Sequence, residues 1–282
     1  MLSTSTVQSH TTYPNINKIK LVTSDTMQEF KAYIVLDNTN SVAQHIGEKW
    51  REYQKIYGKK DLFLISSPLS STPLPLYHWI IQHADSFENW DNFRFILMDE
   101  QVSVVHEMSY IPLEDTASYE RFTREKLLDK LQRYVGNANK VILKPDLNDL
   151  EAFDDMIQEH NGIDLLILAI GARGHYAQVM PGTPLYTGFH IARLIPEFIE
   201  THTKAAGPYQ GARFREYGMS LGPRQVLTAK NVVVMITGEN KRELAKQLFA
   251  CDSFTPEFPI SIIHHPQVKD KTEIIFSKDA IW

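Results

Sequence analysis

The sequence is poor in cysteine: Cys251 is the only one in 282 residues. No intrachain disulfide can form, and the composition fits a reducing compartment. A single thiol followed by Asp252 and Ser253 reads as a packing residue rather than a nucleophile. Surplus basic charge is also absent. With 29 Lys and Arg against 34 Asp and Glu, the net charge is −5, so no global positive field draws nucleic acid or an anionic membrane. No apolar run nears the roughly 20 residues of a membrane span. The opening MLSTSTVQSHTTYPNINK lacks both the early basic charge and the apolar core of a secretory signal. Residues 1–17 are expected to be a flexible extension of a cytoplasmic protein. No repeat, low-complexity stretch or composition shift marks a linker, so residues 18–282 are expected to form one domain. Neither a metal-ligand cluster nor a nucleotide fingerprint stands out, and no metal or cofactor is expected.

What the chain does have is a series of short apolar runs separated by helical patterns. The run at Asp164–Ile170, containing LLILAI, and the run NVVVMIT at Asn231–Thr237 read as strands buried on both faces. Further strands are expected at Lys18–Val22, Lys31–Leu36, Asp61–Ile65, Phe93–Met98, Val141–Leu143, Ile260–Ile263 and Glu273–Phe276. Helices are expected at Thr39–Tyr57 (with Ser41 as cap), Leu74–Ala84, Ser118–Leu131, Asp149–Glu159 and Arg242–Phe249, with residues 101–117 irregular. Strands alternating with helices give an α/β fold in three layers, a mostly parallel sheet with helices on both faces.

In such sheets ligands sit at the carboxyl ends of the strands, and polar residues cluster there in this chain. After Ile65 comes the hydroxyl-rich turn Ser66–Pro73. Ser70, Ser71 and Thr72 precede a helix start, an arrangement that suits either a phosphate cradle or an ordinary capped turn. Asp99, directly after Met98, is a candidate general base, with Glu100 beside it facing the same crevice. After Ile170 comes Gly171-Ala-Arg-Gly-His175, whose glycines permit close backbone approach and which places Arg173 and His175 as a catalytic pair. Lys241 follows Asn231–Thr237 and reaches either a phosphate or solvent. Thr203–Phe214 has the glycines and cations of a segment over a site. Arg213 is the candidate lid cation, with Arg215 and Lys204 as alternatives.

These stations, in this order over residues 40 to 280, resemble the glucosamine-6-phosphate deaminase/6-phosphogluconolactonase superfamily. Its Thr-Gly-Gly-Thr-Pro loop is similar to Leu69-Ser-Ser-Thr-Pro73, and its Met-Asp-Glu strand end to Met98-Asp99-Glu100. Ser118-Tyr119 matches its helix start, and Ala169-Ile-Gly-Ala-Arg-Gly-His175 looks like its Gly-x-Gly-x-Asp-Gly-His loop. Gly238-Glu-Asn-Lys241 and Phe258–Pro266 match its last two motifs. The resemblance implies that Asp99 takes the C2 proton and His175 opens the sugar ring. It implies further that Ser70–Thr72 and Lys241 hold the 6-phosphate of a small sugar substrate, and it leaves a homo-oligomer open.

The chain departs from the deaminase pattern at telling places. Arg173 and Met180 stand where deaminases carry carboxylates, and Ser70 and Ser71 where they carry glycines. A histidine beside Arg173 and without those carboxylates is expected to be held neutral. The stretch from His175 to Gly182 resembles the lactonase branch. There a neutral histidine activates water, and Arg173 would face the substrate's anion or the developing oxyanion. Leu221-Gly222 and Phe258–Pro266 resemble the deaminases. The expected function is therefore isomerisation and deamination of an amino-hexose 6-phosphate. Lactone hydrolysis is the alternative, and sugar-phosphate binding without turnover a second one.

Overall fold

Uninterrupted apolar runs form the strands that no solvent reaches. Leu165–Ala169 and Val232–Ile236 are buried along nearly their whole length, as strands must be when helices cover a parallel sheet. The computed structural model of the chain describes residues 33–59, 61–204 and 209–282. The strand expected at Lys18–Val22 and the extension at 1–17 lie outside the described residues, as do the first two residues of the piece expected at 31–36.

The amino-terminal half runs β1 (Tyr33–Leu36), α1 (Thr39–Tyr57), β2 (Phe63–Ser66), α2 (Leu74–Gln82), β3 (Phe93–Ile96), β4 (Asp99–Ser103), β5 (Ser109–Tyr110) and α3 (Tyr119–Lys126). Short α4 (Gln132–Val135) and α5 (Ala138–Val141) lead into β6 (Ile142–Leu143) and α6 (Leu150–Glu159). Then come β7 (Leu165–Ala169), β8 (His190–Arg193), α7 (Pro196–Lys204), β9 (Tyr217–Ser220), α8 (Pro223–Thr228), β10 (Val232–Ile236), α9 (Arg242–Phe249), α10 (Pro266–Lys269) and β11 (Thr272–Ser277). Helix α1 shows why the pattern was readable: Val42, Ile46 and Trp50 form its buried face. Its cap is Asn38 rather than Ser41, the Asn38 side chain accepting from the Ser41 amide at 3.0 Å.

Seven strands pair in the order β1-β11-β10-β7-β2-β3-β6, all parallel. That order builds the site. From β2 the chain moves outward to β3 and β6. It then returns to lay β7 against β2 and moves outward the other way, to β10 and β11. The loops leaving β2 and β7 diverge and leave a crevice at the strands' carboxyl ends, the place where open α/β sheets take ligands.

Asp164 fastens this junction. Its amide donates to the Leu64 carbonyl at 2.9 Å, and its carboxylate accepts from the Leu64 amide at 2.7 Å. Lys230 Nζ at 2.7 Å and His160 Nε2 at 3.1 Å complete the fully buried carboxylate's partners.

Two further expectations need correction. Residues 101–117 are not all irregular: β4 and β5 join β9 and β8 in a second, antiparallel sheet of order β5-β4-β9-β8. A polar strand such as DEQVS and a two-residue strand carry no apolar run or alternation to announce them. Ile260–Ile263 is not a strand but part of a 3₁₀ helix, Pro259–His264. Pro259 offers no N–H to a ladder and its fixed φ suits a first helical turn. Among the described residues no helix is long and apolar enough to cross a membrane.

Removing the Asp164 carboxylate strands Lys230 and the Leu64 amide. Asp164→Ala is expected to cost about 3–5 kcal/mol, the range for breaking a buried charge network from one side. Urea unfolding measures this, and a loss below about 1 kcal/mol contradicts the role given to Asp164.

Candidate active site

At the carboxyl ends of β10, β7, β2 and β3 lies a cavity of about 390 Å³. Ser70, Ser71 and Thr72 reach it from the turn after β2, Asp99 from beyond β3, His175 from the loop after β7, and Lys241 from the turn after β10. These six expected groups therefore meet at one cavity, although they are spread over 172 positions of sequence (70 to 241).

Asp99 is set by the second sheet. It opens β4 and pairs with Ser220 of β9, while the Leu221 amide donates to the Met98 carbonyl at 2.7 Å. Its side chain is 4% exposed, and Oδ1 has no hydrogen-bond partner among the described residues. Burial pushes this carboxyl well above its ordinary value, and the neighbouring Glu100 adds to the effect.

Side chains alternate along a strand, so Glu100 leaves β4 on the opposite side. It accepts from Ser118 Oγ at 2.9 Å and from the amides of Tyr119 at 3.0 Å, Glu120 at 2.7 Å and Gln101 at 2.7 Å. Burial pushes Glu100 up to about 7 against the pull of these donors. The expected catalytic place for Glu100 is thus corrected. It sits at the amino end of α3, where an anion is favoured, and helps hold the helix that delivers Tyr119 to the cavity wall.

His175 is fixed by its own loop. Its Nδ1–H donates to the Ala172 carbonyl at 2.7 Å. A carbonyl only accepts, so Nδ1 carries the proton and Nε2 keeps its lone pair. Burial holds the imidazole down to about 3, helped by His202 and Lys241. The expected agent, Arg173, plays no part. Its backbone is left-handed (φ 56°) and its side chain, 55% exposed, reaches Glu197 at 3.8 Å. Arg173 is not among the residues lining the cavity. The loop glycines do matter. A Cβ on Gly171 would lie 2.1 Å from His175 Nε2, and one on Gly174 (φ 77°) would lie 2.3 Å from the Phe258 ring.

Another part of the cavity wall is built from the Ser70–Thr72 turn and Lys241. The Thr72 amide donates to Ser70 Oγ at 3.4 Å, and α2 begins with no side-chain cap. Lys241 forms no ion pair among the described residues, and burial holds its ammonium below the ordinary value. It is the one cation lining the cavity among the described residues. The expected lid cation Arg213 is exposed and does not line it. Arg215 instead pairs with Asp115 at 2.7 Å, and the Lys204 side chain lies outside the described residues. The segment contributes Tyr209, which lines the cavity and donates to the Leu69 carbonyl at 2.8 Å. Sequence reasoning also missed Phe198, Thr201 and His202 of α7. Their signal was available: Phe198 and His202 are four apart and share one helix face.

Asp99→Asn removes a carboxylate that folding must desolvate. Its folded value lies above its unfolded one, so the stability lent by the protonated form below about pH 4 is lost as pH rises. The Asn variant is therefore expected to be more stable than the parent by about 1 kcal/mol near pH 8, a typical single-site gain, with the difference vanishing near pH 4. Urea titrations at both pH values check this; a destabilised variant near pH 8 contradicts it.

Known proteins share this architecture. The family model for glucosamine-6-phosphate isomerases/6-phosphogluconolactonase matches residues 39–273. The glucosamine-6-phosphate deaminase of Clostridium beijerinckii is 28% identical over 228 residues, covering 79% of this chain and 88% of the relative. That of Shouchella clausii is 28% identical over 204 residues, covering 70% and 77%. Among solved structures, a monomeric glucosamine-6-phosphate deaminase superposes with a TM-score of 0.71 at 17% identity, over 87% of this chain and 97% of its own. A 6-phosphogluconolactonase from Trypanosoma cruzi does so at 0.62 and 16%, over 87% and 94%. With residues 39–273, most of its length, matched by the family model, the chain belongs to the glucosamine-6-phosphate isomerase/6-phosphogluconolactonase family.

Proposed function

We propose that the chain isomerises and deaminates an amino-hexose 6-phosphate. The observation that carries this is Asp99, a buried carboxyl lining the cavity with an oxygen that no described residue satisfies. An unpaired buried acid is costly, and proton abstraction from carbon is chemistry that needs one. In this reading His175 Nε2 takes the O1 proton as the C1–O5 bond breaks and returns it to O5, opening the ring. Ionised Asp99 then takes the C2 proton and delivers it to C1, while a proton passes from the C2 ammonium to O1, leaving a C2 iminium. Water adds at C2 and ammonia leaves. The turn at Ser70–Thr72 and Lys241 hold the phosphate.

A second reading has its own support. A neutral His175 with a free Nε2 lone pair suits activation of water, and neither Arg173 nor Met180 offers it a carboxylate. On this reading the protein hydrolyses a sugar-phosphate lactone.

Assays with glucosamine 6-phosphate and with 6-phosphogluconolactone separate the two. Deamination predicts fructose 6-phosphate and ammonia from the first, with Asp99→Asn lowering kcat by about 10²–10⁴ and abolishing C2-proton exchange. Lactone hydrolysis predicts acid release from the second, surviving Asp99→Asn better than His175→Ala. If neither substrate turns over while sugar 6-phosphates raise the melting temperature, the protein binds without catalysis. Gly171→Ala tests the imidazole's seat. Its methyl displaces His175, and a loss of about 10²-fold in turnover is expected from a shift of about 1 Å; unchanged turnover contradicts the placement. Asp99 must be ionised to act, so kcat/KM is expected to fall on the acid side above the ordinary carboxylate value of about 4.

A further inference from the structure

Among the described residues lining the cavity, Asp99 is the only carboxylate, yet a sugar presents several hydroxyl or amine donors. Helix α7 supplies another acceptor. His202 lines the cavity beside Phe198 and Thr201, and its ring is held by neighbours. It stacks on Phe198 at 4.0 Å between centroids and lies 5.3 Å from Phe214 and 6.3 Å from His175. Phe198 in turn stands edge-on to His175 at 4.9 Å. The two imidazoles are tethered alike, His202 Nδ1–H donating to the Phe198 carbonyl at 2.8 Å. That leaves Nε2 as the unprotonated nitrogen, with no hydrogen bond to any described residue. Burial, aided by Lys241, holds the ring below the ordinary imidazole value, which keeps it an acceptor.

We propose that His202 is a specificity-determining residue whose Nε2 accepts a hydrogen bond from a hydroxyl or amine of the bound sugar phosphate. The inference rests on the sugar-phosphate reading of the cavity and deepens it. The sugar lies between Asp99 and the His175–Phe198–His202 ring stack, with its phosphate toward Lys241. Phe198 fixes the His202 ring before the ligand arrives, so little rotamer freedom is lost on binding.

The test compares His202→Phe with His202→Gln in an Asp99→Asn background that blocks turnover, by calorimetry with glucosamine 6-phosphate. A phenyl ring keeps the stack on Phe198 and deletes the acceptor, whereas a glutamine restores an acceptor near Nε2. His202→Phe is expected to weaken binding about tenfold with an unchanged melting temperature, and His202→Gln to recover most of the affinity. Full affinity in His202→Phe overturns the proposal and leaves the sugar-phosphate reading standing. Equal weakness in both variants also overturns it, because packing rather than the acceptor would then carry the effect. A parent that binds none of glucosamine 6-phosphate, fructose 6-phosphate and 6-phosphogluconate fails the underlying reading, and this proposal with it.

Discussion

The placement of β7 against β2 governs the rest of the molecule. These two strands run side by side although about 100 residues separate Leu64 from Asp164. The Asp164 amide and carboxylate grip both backbone groups of Leu64, so the join is made at the strands' starts. Its consequence appears at their far ends, where the two loops part and open the cavity. The sheet order then dictates which strand-end loops share that space, those of β10, β7, β2 and β3, and Tyr119, Tyr209 and the Phe198–His202 face of α7 complete its wall.

The cavity's charge pattern is unusual for its burial. Among the described residues, one carboxyl has an oxygen without a partner, one ammonium has no counter-charge, and two imidazoles are held neutral. Each arrangement costs stability in the empty protein. Asp164 and Glu100, by contrast, are fully partnered in the scaffold, and the gathering of an unpaired acid, an ammonium and two imidazoles at one cavity suits a polar ligand. Site and scaffold are also coupled through one dipeptide. Asp99 and Glu100 are adjacent on β4, and strand alternation sends one to the cavity and the other to the amino end of α3.

Much of this was legible in the sequence, for a physical reason. Buried parallel strands need unbroken apolar runs, and the polar residue that ends each run must sit at the sheet's edge, so Asp99, His175 and Lys241 could be placed from pattern alone. Side-chain direction could not. Arg173 precedes His175 by two positions but takes a left-handed backbone that turns its side chain to solvent. Glu100 follows Asp99 yet faces the other way because the chain continues as a strand rather than a loop. Strand β4 was itself hidden, since DEQVS has no apolar signature. His202 was missed because its four-residue spacing from Phe198 marks a helix face without saying what that face meets, and only the fold shows that it lines the cavity.

The central claim is that one sugar phosphate touches all the strand-end groups together. The most direct measurement is a crystal structure of the Asp99→Asn variant with glucosamine 6-phosphate. The phosphate is expected on Ser70–Thr72 and Lys241, with C2 beside residue 99 and O1 near His175 Nε2. A ligand bound instead in the groove lined by His45, Lys49, Lys55 and Glu88 on α1 and the loop before β3, or a phosphate that leaves Lys241 untouched, contradicts the account.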